Sequence, residues 1–469
     1  MSLASAEAPA RTYVHPVDEV LPPVRLFTLG LQHFFIMYAG AVAVPIIVGG
    51  ALKLSRDDIA MLINADLLIC GIVTIIQATG LSKWLGCRLP LASGATFTTL
   101  TPMIVIGSQF ATPGNPGSGL PVVYGGMIVA GVIGIAIAGL FARLVRFFPP
   151  LVSGVVICVI GLSLIGVNGP LINGTEMKDR LPAGLAPGDL PLIGLAGLVV
   201  LLIVVFTKFL KGFLGQIAVL LSMVIATLVS VPMGLVDFSG VSSASWIGIS
   251  TPLHFGTPQF NISAIISMTI VLLVTYTEST ADMLAVAEIC DVELTPTRLS
   301  AGLRMDAVSS VLAGFMNSFP DTAFAENVGL VSLTGVRSRW VVAVCGGFLF
   351  VMGLIPKFGQ IVAAIPSPVV GGAALVMFAM VTSIGIQTLK KVRFDGKYAH
   401  NLLIVAVSLS VGLLPAFMPT IYDKFPDFFK IIFGSSITSA VIIVFVLNLV
   451  FNHLMSTADN DVEELTTSH

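Results

Sequence analysis

Glu278 lies near the middle of VLLVTYTESTADMLAVAEI, and Glu326 stands beside Asn327 in FAENVGLVSLTG, two acidic residues in stretches otherwise suited to lipid. An ionised carboxylate at the centre of a bilayer costs roughly 2.5 to 3.5 kcal/mol or more, so each must be protonated or partnered. Such groups carry protons or accept hydrogen bonds from a polar solute. Asp282 falls one helical turn beyond Glu278 on the same face, where it either joins that chemistry or orients its neighbour. Asp306, in RLSAGLRMDAVSSVLAGF, has Ser309 and Ser310 within hydrogen-bond reach one turn on. It either holds nearby chain in place or relays protons. His33, in LGLQHFFIMYAG, is a satisfied packing residue or a site residue, and Phe97, in SGATFTTLT, packs or stacks on a flat ligand.

The surrounding composition settles the class. Of 469 residues 56% are hydrophobic and 10% charged, and the mean hydropathy is +1.00, whereas soluble domains carry about 25% charged residues. A polytopic membrane protein is expected. The formal net charge of -2 offers no basic surface for nucleic acid. Cys70, Cys87, Cys158, Cys290 and Cys345 are scattered singly without CxxC spacing, so they read as free packing thiols, with no metal site and no cofactor expected. HExxH and GxSxG are missing, so an enzyme is not expected. Asn173-Gly-Thr175 and Asn261-Ile-Ser263 match a glycosylation triplet, a pattern short enough to arise by chance. The first 25 residues lack the apolar core of a signal peptide, which leaves insertion to the first span.

Runs approaching the roughly 20 residues that cross a bilayer begin near Leu26, Ile59, Leu85, Leu120, Pro150, Leu190, Phe213, Ser263, Leu299, Phe319, Trp340, Pro368, Asn401 and Ile432. The segments from Leu85 and Phe319 are broken by Pro, Gly and Thr, and the one from Leu299 is unusually polar. Counting all of them gives fourteen spans, and charge tests the count, because cytoplasmic loops concentrate Lys and Arg. With the N-terminus inside, the outer loops hold only Lys53, Arg56, Lys178, Arg180, Lys357, Lys424 and Lys430 of the 23 basic residues. Both termini are then cytoplasmic.

The halves echo each other. PPLVSGVV at Pro149 resembles PSPVVGGA at Pro366, and SGATFTTLT at Ser93 resembles AENVGLVSLT at Ala325. Seven spans per half is an odd number, so the second copy enters inverted, and matched broken segments point to the binding site. Extended backbone at membrane depth is tolerated only where it is buried in protein or lines a cavity. Leu91–Phe97 and Thr322–Glu326 are therefore read as short extended pieces, each leading into a half-helix whose N-terminus points free N–H groups at the midplane.

ENVGLVSLTG, with Asn327, Gly329 and Thr334 at the spacing N-x-G-x-x-x-x-T, resembles the signature of the nucleobase-ascorbate transporters, also called nucleobase-cation symporters. Gln32-His33, Glu278, Asp306 and PSPVVGGA fall where that family has counterparts. The resemblance covers nearly the whole chain and implies an all-α fold of fourteen spans in two inverted repeats, with spans 3 and 10 broken. It implies a core domain (23–148 and 261–365) moving against a gate domain (149–260 and 366–455), with 1–22 and 456–469 as disordered cytoplasmic tails. It further implies a homodimer through the gate domains, a bacterial inner membrane, and proton-coupled uptake of a purine or pyrimidine. Carried over by position, Glu278 binds the base and takes part in proton coupling, Glu326 is its second side-chain partner, and Asn327 and Thr96 tune recognition. Phe97 and Ala325 offer backbone N–H groups, Asp306 serves transport without touching substrate, and His33 and Asp282 set geometry. Purine members commonly have Gln where this chain has Glu326, and many have Asn where it has Thr96; the Thr96 position and GLQHFFIMYAGAVAVP look most like xanthine and urate permeases. Gln both donates and accepts, whereas an ionised Glu only accepts. Glu326 therefore favours a base edge rich in N–H, such as guanine's amidine edge or a urea-like edge of xanthine or urate; with the resemblance, xanthine and urate come first, guanine next and uracil as the alternative, and the anion exchangers of the same fold are the rival class.

Overall fold

The computed structural model describes residues 14–144 and 149–454. Its first half holds α1 (Pro23–Ala51), α2 (Arg56–Thr79), β1 (Ser93–Ala95), α3 (Leu100–Phe110), α4 (Leu120–Leu144), α5 (Pro150–Ile172), α6 (Leu190–Phe209), α7 (Phe213–Gln216), α8 (Ala218–Ser230) and α9 (Ser239–Ser243). The second holds α10 (Ile262–Ile289), α11 (Pro296–Met316), β2 (Asp321–Ala323), α12 (Ala325–Thr334), α13 (Arg339–Gly353), α14 (Pro356–Ala363), α15 (Ser367–Leu389), α16 (Asn401–Phe417), α17 (Asp427–Phe433) and α18 (Ser436–Leu449). Among the described residues eight helices are long and apolar enough to cross a membrane, or nine if α13 and α14, bent by 84°, form one span. The chain is a mostly helical, multi-pass membrane protein. The count of fourteen further relies on shorter pieces: α3 has 11 residues and α12 has 10, about half a bilayer each at 1.5 Å per residue.

Local chemistry sets the helix ends. Ser55 caps α2 by accepting from the Asp58 N–H, with Asp57 and Asp58 in the first turn. Asn261 caps α10 by accepting from Ser263 and Ala264, and Asn173 accepts from the Thr175 N–H and hydroxyl. Both glycosylation-like triplets are thus local caps and turns. The helix α11 stops at Asn317 in the left-handed conformation (φ 57°), and α12 stops at Gly335 (φ 65°).

The two strands pair antiparallel, Ser93 with Ala323, Gly94 with Thr322 and Ala95 with Asp321. Phe324 N–H donates to the Ala92 carbonyl and Thr96 N–H to the Pro320 carbonyl, extending the ribbon at both ends. A two-stranded ribbon leaves an outer row of polar groups on each strand, which buried chain cannot leave unpaired. Side chains from flanking helices take them. The Thr74 hydroxyl on α2 bonds both the N–H and the carbonyl of Ser93. On the other edge Ser309 of α11 accepts from Asp321 N–H, and Ser279 of α10 accepts from Ala323 N–H. Phe324 seats its ring against Gly94 and Gly40, where an added Cβ would lie 2.7 Å and 2.5 Å from ring atoms. Extended pieces were expected in both segments; the second starts one residue earlier than expected and ends before Ala325, which already opens α12.

Helices meet in close pairs: α5 along α15, α4 along α11 and α2 along α13, with α10 also on α4 and α1 on α13. Small residues permit the approach. A side chain at Gly161 of α5 would run into Thr382 and the Phe378 carbonyl of α15, and one at Gly71 of α2 into the Phe350 backbone of α13. Asn168 of α5 donates to the Gly371 carbonyl at 2.7 Å across the first of these seams.

Part of the stretch expected as a tail is packed. Val17 is 1% exposed and joins a cluster with Leu89, Leu91, Val328 and Val331. Arg339 holds this strap through the Asp18 carboxylate at 2.7 Å and the Val17 carbonyl at 3.0 Å. Residues 1–13 and 455–469, where the rest of the expected tails fall, and Arg146 lie outside the described residues.

The paired hydroxyls make a test of the ribbon. Ser309→Ala strips the donor from the Asp321 carboxylate and the acceptor from its N–H, and Thr74→Val does the same to Ser93. Each should lower thermal stability in detergent by about 1–3 kcal/mol. Melting curves matching the parent for both variants would refute the role of these side chains as strand partners.

Candidate functional site

The ribbon delivers two helix starts to one place. Phe97 opens a short 3-10 turn, Phe97–Thr99, ahead of α3, and Ala325 opens α12. The N–H groups of these first residues have no acceptor within their own helix. Between them and the helices α5 and α15 lies a cavity of about 150 Å³ lined by Thr96, Phe97, Thr98, Glu278, Asp282, Ala325 and Glu326, with Ile157, Val381, Ile384 and Thr388 opposite. It brings together six of the residues singled out from the sequence.

Glu278 is held from across the cavity. The Thr98 hydroxyl donates to its Oε1 at 2.7 Å and the Thr96 hydroxyl to Oε2 at 3.4 Å. Glu326, second residue of α12, stands open to the cavity, where the helix start favours negative charge. Asp282 projects into the same space one turn along α10. The Phe97 ring meets Phe378 of α15 edge-on at 5.6 Å while also lining the cavity, so it packs and remains available to a flat ligand.

Three expected residues lie behind the cavity wall. His33 Nδ1 and Asn327 Oδ1 are 2.6 Å apart and both side chains are buried. With the amide in this orientation Nδ1 is the donor. The bond ties α1 to the start of α12, and neither side chain is among those lining the cavity. Asp306 is fully buried and accepts from Gln77 Nε2 of α2 at 3.0 Å. Its expected serine partners are used otherwise: Ser310 donates to the Asp306 backbone carbonyl and Ser309 to Asp321. Gln77 also accepts from Cys87 N–H and donates to the Gly302 carbonyl, so it clamps α11 to the chain entering β1.

Sequence reasoning missed Thr98, Gln77, Asp66 and Asp321. Asp66 interrupts INADLLICG and Asp321 sits in FPDTAF, both visible breaks in apolar runs. They are fully buried, and Cys70 lies between them, its sulfur 3.5 Å from Asp66 and 3.2 Å from Asp321, so that its one S–H can donate to either carboxylate. Ser318 and Ser309 supply further donors to the two carboxylates. Cys70 is therefore more than a packing thiol. The three side chains place potential ligand atoms within 4.8 Å of one another, a grouping that cysteine spacing does not reveal.

Residues 24–421 match the family Xan_ur_permease, described as a permease family. The chain is 42% identical over 443 residues to the uric acid transporter UacT of Escherichia coli, covering 94% of this chain and 89% of that one. It is 38% identical to a xanthine permease and to the uric acid permease PucK of Bacillus subtilis, covering 91% of this chain in each case and 94% and 96% of theirs. In structure it resembles the transmembrane domain of the cyanobacterial bicarbonate transporter BicA, with a TM-score of 0.56 at 15% identity over 84% of this chain and 98% of that one. It likewise resembles the murine anion transporter Slc26a9, with a TM-score of 0.60 at 13% identity over 93% of this chain and 69% of the other. These two likenesses concern the fold. With the sequence matched over most of its length, the chain belongs to this permease family and is a membrane transporter, not an enzyme.

Proposed function

We propose that the protein is a proton-coupled symporter that imports a purine nucleobase, xanthine or urate first and guanine next, by alternating access. The observation that carries the reading is a cavity of purine scale whose charged lining is acidic, Glu278, Asp282 and Glu326, with two helix-start N–H groups beside them. The N–H groups meet ring nitrogens and carbonyl oxygens, while the carboxylates meet ring N–H. Named relatives transporting uric acid and xanthine support the substrate class. A site for a small inorganic anion would want Arg or Lys, and among the described residues neither lines this cavity.

Packing favours the inverted repeat. Exchanging α1 with α10, α2 with α11, α4 with α13, α5 with α15, α6 with α16 and α8 with α18 turns the most extensive packing pairs into one another, with α5–α15 mapping onto itself. The pair α4–α11 becomes α13–α2, α10–α4 becomes α1–α13, and α6–α8 becomes α16–α18. The polar contacts follow the same exchange: Thr74 of α2 braces β1 as Ser309 of α11 braces β2, and His33 of α1 reaches α12 as Glu278 of α10 reaches Thr98. On this reading α1–α4 and α10–α14 form the core, α5–α9 and α15–α18 form the gate, and strand-plus-helix pairs serve as spans 3 and 10.

The cavity reaches Ile157 and Ile160 in the first half of α5 and Val381, Ile384 and Thr388 in the second half of α15, the half that ends at Lys390 on the side that faces the cytoplasm by charge bias. We read the charge bias as placing both termini inside a bacterial inner membrane. Thinly covered apolar faces on α6 and α18 suit lipid and a second copy, in keeping with a homodimer through the gate.

Glu278→Gln should abolish accumulation of purine driven by a pH gradient in reconstituted vesicles; uptake against the gradient at the parent rate would sink its coupling role. Glu326→Gln should reorder competition among xanthine, urate, guanine, hypoxanthine and uracil by about tenfold or more for at least one base, and an unchanged profile would remove Glu326 from the contact set. Asp306→Asn should lose transport while equilibrium binding stays within a few-fold. A large loss of affinity there would make Asp306 a binding residue.

A further inference from the structure

Resting on Glu278 as the base-binding carboxylate, we propose that Thr98 is its positioning residue, the hydroxyl that fixes the carboxylate in both of its protonation states. Glu278 reaches the cavity on a side chain with three rotatable bonds, and an unheld carboxylate would sample several orientations. The 2.7 Å contact from Thr98 lies in the range of strong hydroxyl–carboxylate bonds, whereas Thr96 stands at 3.4 Å and its oxygen already accepts the Thr98 N–H at 3.1 Å.

Among the described residues Thr98 makes the shortest hydrogen bond to Glu278. The charged groups facing Glu278 are Asp282 on its own helix and Glu326 on α12, with Asp306 and Asp321 behind them on α11 and β2. None of these donates when ionised, and among the described residues no Lys, Arg or His lines the cavity. The Ser279 and Thr322 hydroxyls, 2.9 Å apart, are engaged with each other and with the Ala323 N–H.

A hydroxyl differs from an amide N–H in the respect that matters here. It donates to a carboxylate and, after rotating its hydrogen, accepts from a carboxylic acid at the same site. The contact thus survives gain and loss of a proton without moving Glu278. Thr98 is 1% exposed, β-branched and therefore stiff at χ1, and immediately follows Phe97. One turn of chain consequently sets both the Phe97 N–H and the carboxylate, the donor and the acceptor offered to the same base.

The test compares Thr98→Val, Thr98→Ser and Thr96→Val in purified, monodisperse protein, reading xanthine and urate affinity together with KM and maximal rate of uptake in vesicles. Thr98→Val, which keeps the shape and removes the hydroxyl, should weaken binding by about tenfold or more, Thr96→Val by less, and Thr98→Ser should stay within about twofold of the parent. Parent-like affinity in Thr98→Val overturns the role, as does a Thr98→Ser variant as weak as Thr98→Val with an unchanged melting temperature. A parent protein that binds no purine overturns the transport reading and this inference with it, whereas purine binding unaffected by Thr98→Val overturns the inference alone.

Discussion

Non-helical backbone in an apolar interior must find a partner for every N–H and C=O, and that demand organises this molecule. At Ser93–Ala95 and Asp321–Ala323 the strands satisfy one edge of each other, and Thr74, Ser279 and Ser309 satisfy the outer edges. Each of those hydroxyls sits on a long helix, so α2, α10 and α11 are fastened to the ribbon by polar contacts that packing alone would not specify. The same arrangement delivers Phe97 and Ala325 to one cavity as the first residues of their helices. The shape of the cavity and the satisfaction of the ribbon are thus one network.

The acidic residues divide by the solvent they meet. Glu278, Asp282 and Glu326 border a cavity, whereas Asp66, Asp306 and Asp321 are fully buried and engaged by Cys70, Gln77 and serine hydroxyls. Buried carboxylates with neutral donors alone are costly and gain their place by fixing a unique arrangement. Here they tie β2 and α11 to α2, the helix whose Thr74 braces the other strand.

Much of this was legible in the sequence because broken apolar runs are a strong signal. Proline, glycine and threonine around Ser93 and Asp321 marked the places where helices stop, and isolated acids marked the cavity. Pairing was not legible. That Ser309 bonds Asp321 rather than Asp306, or that Gln77 claims Asp306, depends on which helix lies against which. Thr98 went unnoticed because threonine in a Thr-rich turn carries no charge to draw attention, and its importance comes from a partner 180 residues away. Nor could the packed strap at Val17 be read from a polar, proline-containing N-terminus, since its anchor, Arg339, is contributed by the other half of the chain.

Phe324 precedes the helix that carries Glu326, and its ring fills notches left by Gly94 of β1 and Gly40 of α1. A flat side chain wedged between three separate segments removes their freedom to slide past one another. A displacement of Glu326 must then take α1, and with it His33, along the same path. The acidic and helix-start groups that the two halves of the sequence contribute are thereby held as one piece, whereas the α5 and α15 face of the cavity is not tied to them by this ring.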